Sequence, residues 1–466
     1  MAGKRKNKTS FRAVLEVASN LVGSFFPQRH LPRVPERWWG DEHRERDTRI
    51  RPFRVEFSDE MITDLRARIH NRRNITHALR GAAHAYGTNA DYLNHFLDFW
   101  ANDYDFKKRE DWLNRFPQYV TNIQGLDIHF MHIRPPNPHQ KLVLPLLMLH
   151  GWPVTAFEFV HVIDNLLSER EDCDFVFEMI VPDLPGYGYS EGTSKIGLSQ
   201  YQMAIIMKNL MRRLGKPRFY IHAGDIGQFV ADSMAVLFPD RVLGLHTNFA
   251  FSLRPETLVK YVLGQLYPSA VEEPRYQNRM YPLADFARFY AENTGYLHLH
   301  ASRPDNVGHG LEDSPVAQAS WLIQNIILAT RPRDLLVPNG NLPQHYHMSD
   351  LFDSFTVYWA AQCMATSIRS YAETLAWFQD PLTAVILMTP TRVPFAAIRF
   401  RHELIYQPDS FLRDKYPNLV QALTMDFGGH FAGYEEPAAL ADSIWTAVKK
   451  MEAFTTRKDI TEGLLV

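Results

Sequence analysis

Cysteine is almost missing from this chain: 466 residues hold two, Cys173 and Cys363. That excludes a disulfide-stapled scaffold and a zinc cluster built on thiolates, and it suits a reducing compartment. Net charge is nearly absent too, with 50 Lys and Arg against 52 Asp and Glu, a formal balance of −2. No basic field spans the chain, so nucleic acid is not an expected partner. Also lacking at the amino terminus is an unbroken apolar run of the roughly 20 residues that a membrane span needs. What is plentiful is apolar: hydrophobic residues make up 45% and aromatic residues 13%, enough for a large core and for apolar pockets.

The first ten residues, MAGKRKNKTS, are basic, and Phe11, Val14, Leu15, Ala18, Leu21, Val22, Phe25 and Phe26 follow at helical spacing. An amphipathic helix behind a Lys/Arg cluster either lies on an anionic membrane surface or packs on the protein's own body. The pattern leaves both open. Arg12, Glu16 and the lack of a small-x-small site argue against a cleavable signal peptide.

Residues 27–56, with Pro32, Pro35, Trp38, Trp39 and Pro52, have no period and read as an extended, wrapping segment. Ser58-Asp59-Glu60 opens a helical region that runs to Trp112. Strands are expected at Thr121–Ile123, Leu126–Ile133, Leu142–Leu149, Phe175–Val181 and Arg218–His222, with helices at Thr155–Leu167 and Ser199–Leu214. That alternation predicts an α/β fold with a parallel, doubly wound sheet. Phe251–Trp377 reads as helical and aromatic-rich, Val385–Met388 as a returning strand, and Glu435–Met451 as a last amphipathic helix. The architecture implied is an α/β core interrupted by a mostly helical insertion.

Two turns compete for a nucleophile. Gly188-Tyr189-Ser190-Glu191-Gly192 matches G-x-S-x-G literally, but Pro185 and Gly186 have already ended the strand and no helix follows, so Ser190 lacks the required context. Phe219–His222, Ala223-Gly224-Asp225-Ile226-Gly227 and Gln228–Phe238 supply that context: strand, small-residue turn, helix. The residue at the tip is Asp225. A carboxylate attacks carbon without prior deprotonation, although Asp at a helix start is as often a cap.

Other features fall into register with it. His150-Gly151-Trp152-Pro153 follows the strand Leu142–Leu149, where a loop can aim backbone N–H groups at an oxyanion together with that of Ile226. His430, in Gly428-Gly429-His430-Phe431, sits where this topology places a general base, and Glu403 precedes it as a carboxylate to orient the imidazole. The order Asp225, Glu403, His430 is the nucleophile, acid, His order of α/β-hydrolases.

With these residues in view, the sequence resembles the microsomal epoxide hydrolase family, which includes the insect juvenile-hormone epoxide hydrolases. The resemblance runs from about Trp38 onward, through Trp38-Trp39-Gly40, Arg51–Val55, Gly125–Phe130, His150–Pro153, Pro185–Ser190 and Glu312-Asp313-Ser314-Pro315. It implies an α/β-hydrolase fold with a helical cap and an N-terminal wrapping region. The divisions implied are an N-terminal segment 1–49, an epoxide-hydrolase N-terminal region 50–140, core 141–255, cap 256–380 and core 381–466.

It further implies Asp225 as nucleophile, His430 as base, Glu403 as its carboxylate, and Tyr296 and Tyr371 as cap phenols that hold the epoxide oxygen. Gly151, Trp152, Pro153 and Ile226 would form the oxyanion and substrate-binding loops. The expected partners are a small apolar epoxide and water, with no cofactor and no metal. His298-x-His300 and His345-x-His347 lack a third positioned ligand. The family's association with the endoplasmic reticulum implies its membrane, cytosolic face, with the cytoplasm as the second choice.

Two departures from the family stand out. Its Gly-Gly-Asp-Trp-Gly turn is Ala-Gly-Asp-Ile-Gly here, and the Gly after its His-Gly-Trp-Pro motif is Val154. A haloalkane dehalogenase, which shares the Asp nucleophile, and a silent binder of apolar hormones or lipid epoxides remain the alternatives at this stage.

Overall fold

The computed structural model describes all residues except 1, 26–30, 32, 42–45, 137–138, 376–379 and 462–466, and only the backbone of 2–7 and 458–461. Phe26, Pro32 and Trp377 therefore lie outside the described residues.

Apolar strands set the frame. β1 (Arg51–Phe53), β2 (Gln118–Ile123) and β3 (Leu126–Ile133) form an antiparallel edge, joined by β3 to β5 (Phe175–Pro182). From β5 inward the sheet is parallel: β4 (Leu142–Leu149), β6 (Phe219–Ala223), β7 (Val242–Thr247), β8 (Phe395–Arg399) and β9 (Leu419–Thr424). The nine strands run in the order β1-β2-β3-β5-β4-β6-β7-β8-β9. Every residue of β5, β6 and β8 is buried, as expected of parallel strands covered on both faces.

Helices follow from local signals. α1 spans Ala2–Ser24. In α2 (Asp59–His70), Ser58 caps the first turn through the Met61 N–H, as the sequence predicts. α3 (Ala90–Asn102) and α4 (Phe106–Leu113) complete the helical part before the sheet. α5 (Val160–Leu167), α6 (Gln200–Arg213) and α7 (Asp225–Leu237) are the crossovers between parallel strands. Between β7 and β8 lies the helical insertion, which begins with α8 (Pro255–Gly264).

One strand is misplaced in the sequence reading. Val385–Met388 is the end of a helix, Pro381–Met388, with Asp380 accepting from Leu382 N–H and Pro381 in the first turn. Its Ile386 packs against Val236 of α7. A short apolar run does not by itself distinguish a strand from a buried helix. The returning strand is β8, further along. Likewise the last helix starts at Pro437 rather than Glu435, and Glu435 ends a separate short helix, Ala432–Glu435.

α1 packs antiparallel along α8: Ser19 Oγ donates to Glu256 O, and Arg12 Nε donates to Ala270 O at 2.6 Å. Leu15 joins Val271, Tyr276, Met280, Tyr281, Tyr406 and Phe411 in a cluster separate from the main core. One face of α1 is thus packed on the protein's own body, and Val14, Val17 and Leu21 on the other are exposed.

Candidate active site

Parallel strands end together, so the loops that follow them converge. Leu149 of β4 pairs with Ala223 of β6, and Arg399 of β8 pairs with Thr424 of β9. This carboxyl edge is where an open α/β sheet builds its site.

After β6 the backbone leaves ordinary territory. Asp225 opens α7 at φ +43°, a left-handed conformation that residues with a Cβ rarely adopt. Holding it costs on the order of 1–3 kcal/mol, supplied by the packing around it. A Cβ on Gly227 would lie 2.5 Å from the carbonyl oxygens of Leu149 and His150, and one on Gly151 would overlap the Asp225 carboxylate. The two glycines let the elbow press Asp225 against the loop after β4.

That loop presents donors. Trp152 N–H donates to Asp225 Oδ1 at 2.8 Å, and the Ile226 N–H adds a second bond. The same two groups can hold an oxyanion formed on this carboxyl carbon. The loop is fixed by His150, whose Nε2 accepts from Leu184 N–H and whose Nδ1 donates to Gly151 O, both at 3.0 Å; Pro153 is buried beside it.

On the other side of the carboxylate, His430 Nε2 stands 3.3 Å from Asp225 Oδ2, and its Nδ1 donates to Glu403 Oε1 at 2.7 Å. Leu404 N–H fixes the same Glu403 oxygen at 2.7 Å. Asn248, just past β7, donates to the His430 carbonyl at 3.1 Å. Burial alone would strip the charge from His430, but Glu403 and Asp225 on either side raise it well above its ordinary value. Burial would likewise raise Asp225, yet His430 and the N–H groups of Trp152 and Ile226 hold it below the usual carboxylate range. Glu403, His430 and Asp225 thus stand in one row, with the imidazole between two carboxyl groups.

Above this row is a cavity of about 200 Å³ whose wall is mainly apolar, with Ile226, Phe229, Phe249 and Leu328 among its residues. Tyr296 and Tyr371 line it with Asp225; their rings lie 6.3 Å apart and pack on Trp152 at 5.9 and 5.8 Å. Burial first, then the Asp225 charge, push both phenols upward, so each keeps a proton to donate at neutral pH.

Comparison with known proteins bears on this geometry. Residues 50–159 match the model for the epoxide hydrolase N terminus, and residues 145–302 match that for the alpha/beta hydrolase fold. Juvenile hormone epoxide hydrolase of Manduca sexta is 44% identical over 97% of this chain and 98% of its own. The chain belongs to the epoxide hydrolase family. Epoxide hydrolase 1 of Oryctolagus cuniculus is 37% identical over 91% of this chain and 94% of its own. The crystal structure of juvenile hormone epoxide hydrolase from Bombyx mori superposes with a TM-score of 0.87 at 37% identity, covering 90% of this chain and 99% of that one.

In this epoxide hydrolase the competing turn is occupied otherwise. Ser190 Oγ donates to Asp183 O at 2.8 Å and accepts from His129 N–H at 3.0 Å, which leaves it no base to serve. His300 accepts from the Trp321 indole at 3.0 Å, and its ring packs on Trp152 and Tyr371 at 4.9 Å each. His345 meets Asp334 at 3.1 Å.

Several residues around the site escape a reading of spacing alone. Asn248 is one. Glu158 and Glu435 are two more: burial raises each carboxyl to about 8, and Glu435 Oε1 accepts from Phe431 N–H at 3.0 Å. Glu435 thus secures the His430 loop instead of opening the last helix.

The raised Glu158 has a consequence for stability. Between the ordinary carboxyl value and about 8, the native protein holds a proton that the unfolded chain has released. Stability is therefore fullest below that window and falls as pH rises through it, by about 1.4 kcal/mol per pH unit from this group. Denaturant unfolding at several pH values measures the slope, and Glu158→Gln lessens it by about that amount; an unaltered slope would refute the assignment.

Proposed function

We propose that this epoxide hydrolase opens an apolar epoxide through an ester on Asp225 and releases a vicinal diol. The observation that carries the reading is the row Glu403, His430, Asp225 beneath the two phenols.

Oδ1 of Asp225 is held by the Trp152 N–H, which leaves Oδ2 to attack a ring carbon. As the C–O bond breaks, Tyr296 or Tyr371 protonates the departing oxygen, and the new alcohol is formed. The ester no longer carries the charge that kept His430 protonated, so the imidazolium yields its proton, which restores the phenol. Neutral His430 then takes a proton from water as the hydroxide adds to the ester carbonyl, and the oxyanion rests on the Trp152 and Ile226 N–H groups. On collapse the departing diol oxygen takes the proton of the added hydroxyl, which frees the diol and returns the Asp225 carboxylate beside an imidazolium.

We infer a long apolar epoxide of the juvenile hormone class as the substrate. The apolar cavity supports this, as do relatives named for that hormone over nearly the whole chain. Diol formation from juvenile hormone and from styrene oxide tests it. The reading expects kcat/KM higher by at least ~10-fold for the hormone, about 1.4 kcal/mol more transition-state binding; equal values would remove the hormone from the proposal.

The cytosolic face of the endoplasmic reticulum membrane is the proposed location. No helix among the described residues is long and apolar enough to cross a membrane. What supports attachment is the outer face of the α1–α8 pair. Val14, Val17, Leu21 and Phe25 on and just after α1, and Leu258, Val262 and Leu266 on and just after α8, are each more than half exposed. Lys4, Arg5, Lys6 and Lys8 precede them. Flotation with vesicles containing anionic lipid should carry the protein up. Replacing Val17, Leu21, Leu258 and Val262 by Ser should leave it at the bottom, and unchanged flotation would discard this face as the contact.

A further inference from the structure

Some arginines that line grooves in this protein meet a carboxylate, such as Arg369 with Asp305 at 2.6 Å or Arg399 with Asp409 at 2.7 Å. One group does not. Arg279 and Arg401 line a pocket of about 270 Å³ with His402, and Arg331 and Arg333 flank Pro332 in its wall. None of the four guanidinium groups makes an ion pair within 4.0 Å among the described residues. Their closeness is reflected in His402, which burial and then all four arginines drive down to about 4, leaving it neutral. Two carboxylates reach the pocket: Glu403, turned to His430, and Asp285, which faces Arg288 at 3.6 Å.

Arg279 is the inner member. Its Nη2 donates to Phe400 O at 2.9 Å, and its guanidinium lies 4.1 Å over the Tyr406 ring. Its Nη1 is buried with no hydrogen-bond partner among the described residues.

The pocket adjoins the catalytic cavity. Phe289, Tyr290 and Leu404 line both, and the Tyr290 hydroxyl, bonded to Leu404 O at 2.8 Å, stands on the boundary. The catalytic cavity alone, at about 200 Å³, falls short of the ~300–1,000 Å³ usual for a small-molecule site, and the adjoining pocket brings the pair into that range. The two cavities thus share a wall, with an apolar chamber on the Asp225 side and a cationic one on the other.

Resting on the epoxide hydrolase reading, we propose that the Arg279–Arg401 pocket is a distal subsite for the carboxylate end of a long apolar epoxide. The epoxide would lie at Asp225 with the chain running past Tyr290. A guanidinium forms charge-assisted hydrogen bonds to a carboxylate, and arginines that no carboxylate of the protein meets are suited to that.

The test uses the full-length protein and three epoxides of one chain length, carrying the epoxide at one end and a carboxylate, a methyl ester or an alcohol at the other, repeated over several lengths. Diol from the alcohol verifies the hydrolase reading by itself. The subsite is read from the ratio. At the best length the carboxylate should exceed the alcohol in kcat/KM by at least ~10-fold, mostly through KM, with the advantage shrinking as salt rises. Arg401→Gln should reduce that ratio below ~3-fold, and Arg279→Gln should do the same if its contact to Phe400 is dispensable to folding. Equal kcat/KM for carboxylate and alcohol at every length, or an Arg401→Gln loss in equal proportion for all three substrates, would overturn the proposal.

Discussion

His430→Gln lowers steady-state diol formation by on the order of 10³–10⁴-fold while esterification of Asp225 proceeds. The two steps make different demands on this residue. Attack by Asp225 needs an ionised carboxylate, and the Trp152 and Ile226 N–H groups still favour the charge after the imidazole is gone. Hydrolysis needs a proton acceptor at the position that Nε2 occupies, 3.3 Å from Oδ2, and a Gln amide is not one. The variant should therefore gain the mass of one substrate and stop, with the addition on the peptide that contains Asp225. Steady turnover near the parent rate would mean that another group is the base.

The second large effect belongs to the phenols. Tyr296→Phe and Tyr371→Phe each remove a donor from the departing oxygen, for a loss of on the order of 10–10² in the rate of ester formation, and together 10³ or more. Both rings pack on Trp152, and Phe keeps those contacts, so folding is preserved. Placing the changes in the His430→Gln background isolates ring opening, because adduct growth then reports that step alone. A double variant that alkylates as fast as the single His430 variant would place the acid elsewhere.

These expectations draw on features of unequal visibility in the sequence. The elbow at Gly224-Asp225-Ile226-Gly227 is local: small residues around one acidic residue, between a strand and a helix, name their own geometry. The loops at His150 and His430 are readable because chain order constrains which loop meets which at the sheet edge. β8 was hidden because Val385–Met388 and Phe395–Arg399 are both short apolar runs, and Asp380 with Pro381 commits the first to a helix. Glu435 reads as the first residue of the last helix, yet it ends a separate turn, Ala432–Glu435, where its carboxyl takes the Phe431 N–H. Asn248, His300 and Glu158 owe their places to contacts across more than a hundred residues. The four arginines are scattered from 279 to 401, so only folding brings them to one pocket.

Isotope transfer in a single turnover reaches the centre of the account most directly. The parent enzyme, in excess over an apolar epoxide, is run in oxygen-18 water, and the diol and the Asp225 peptide are weighed. Attack by the carboxylate predicts that the diol from the first turnover takes its new oxygen from Asp225 and carries no label, while the label appears in the Asp225 carboxylate. A labelled diol beside an unlabelled Asp225 would mean that water attacks the epoxide directly, and the ester would be ruled out.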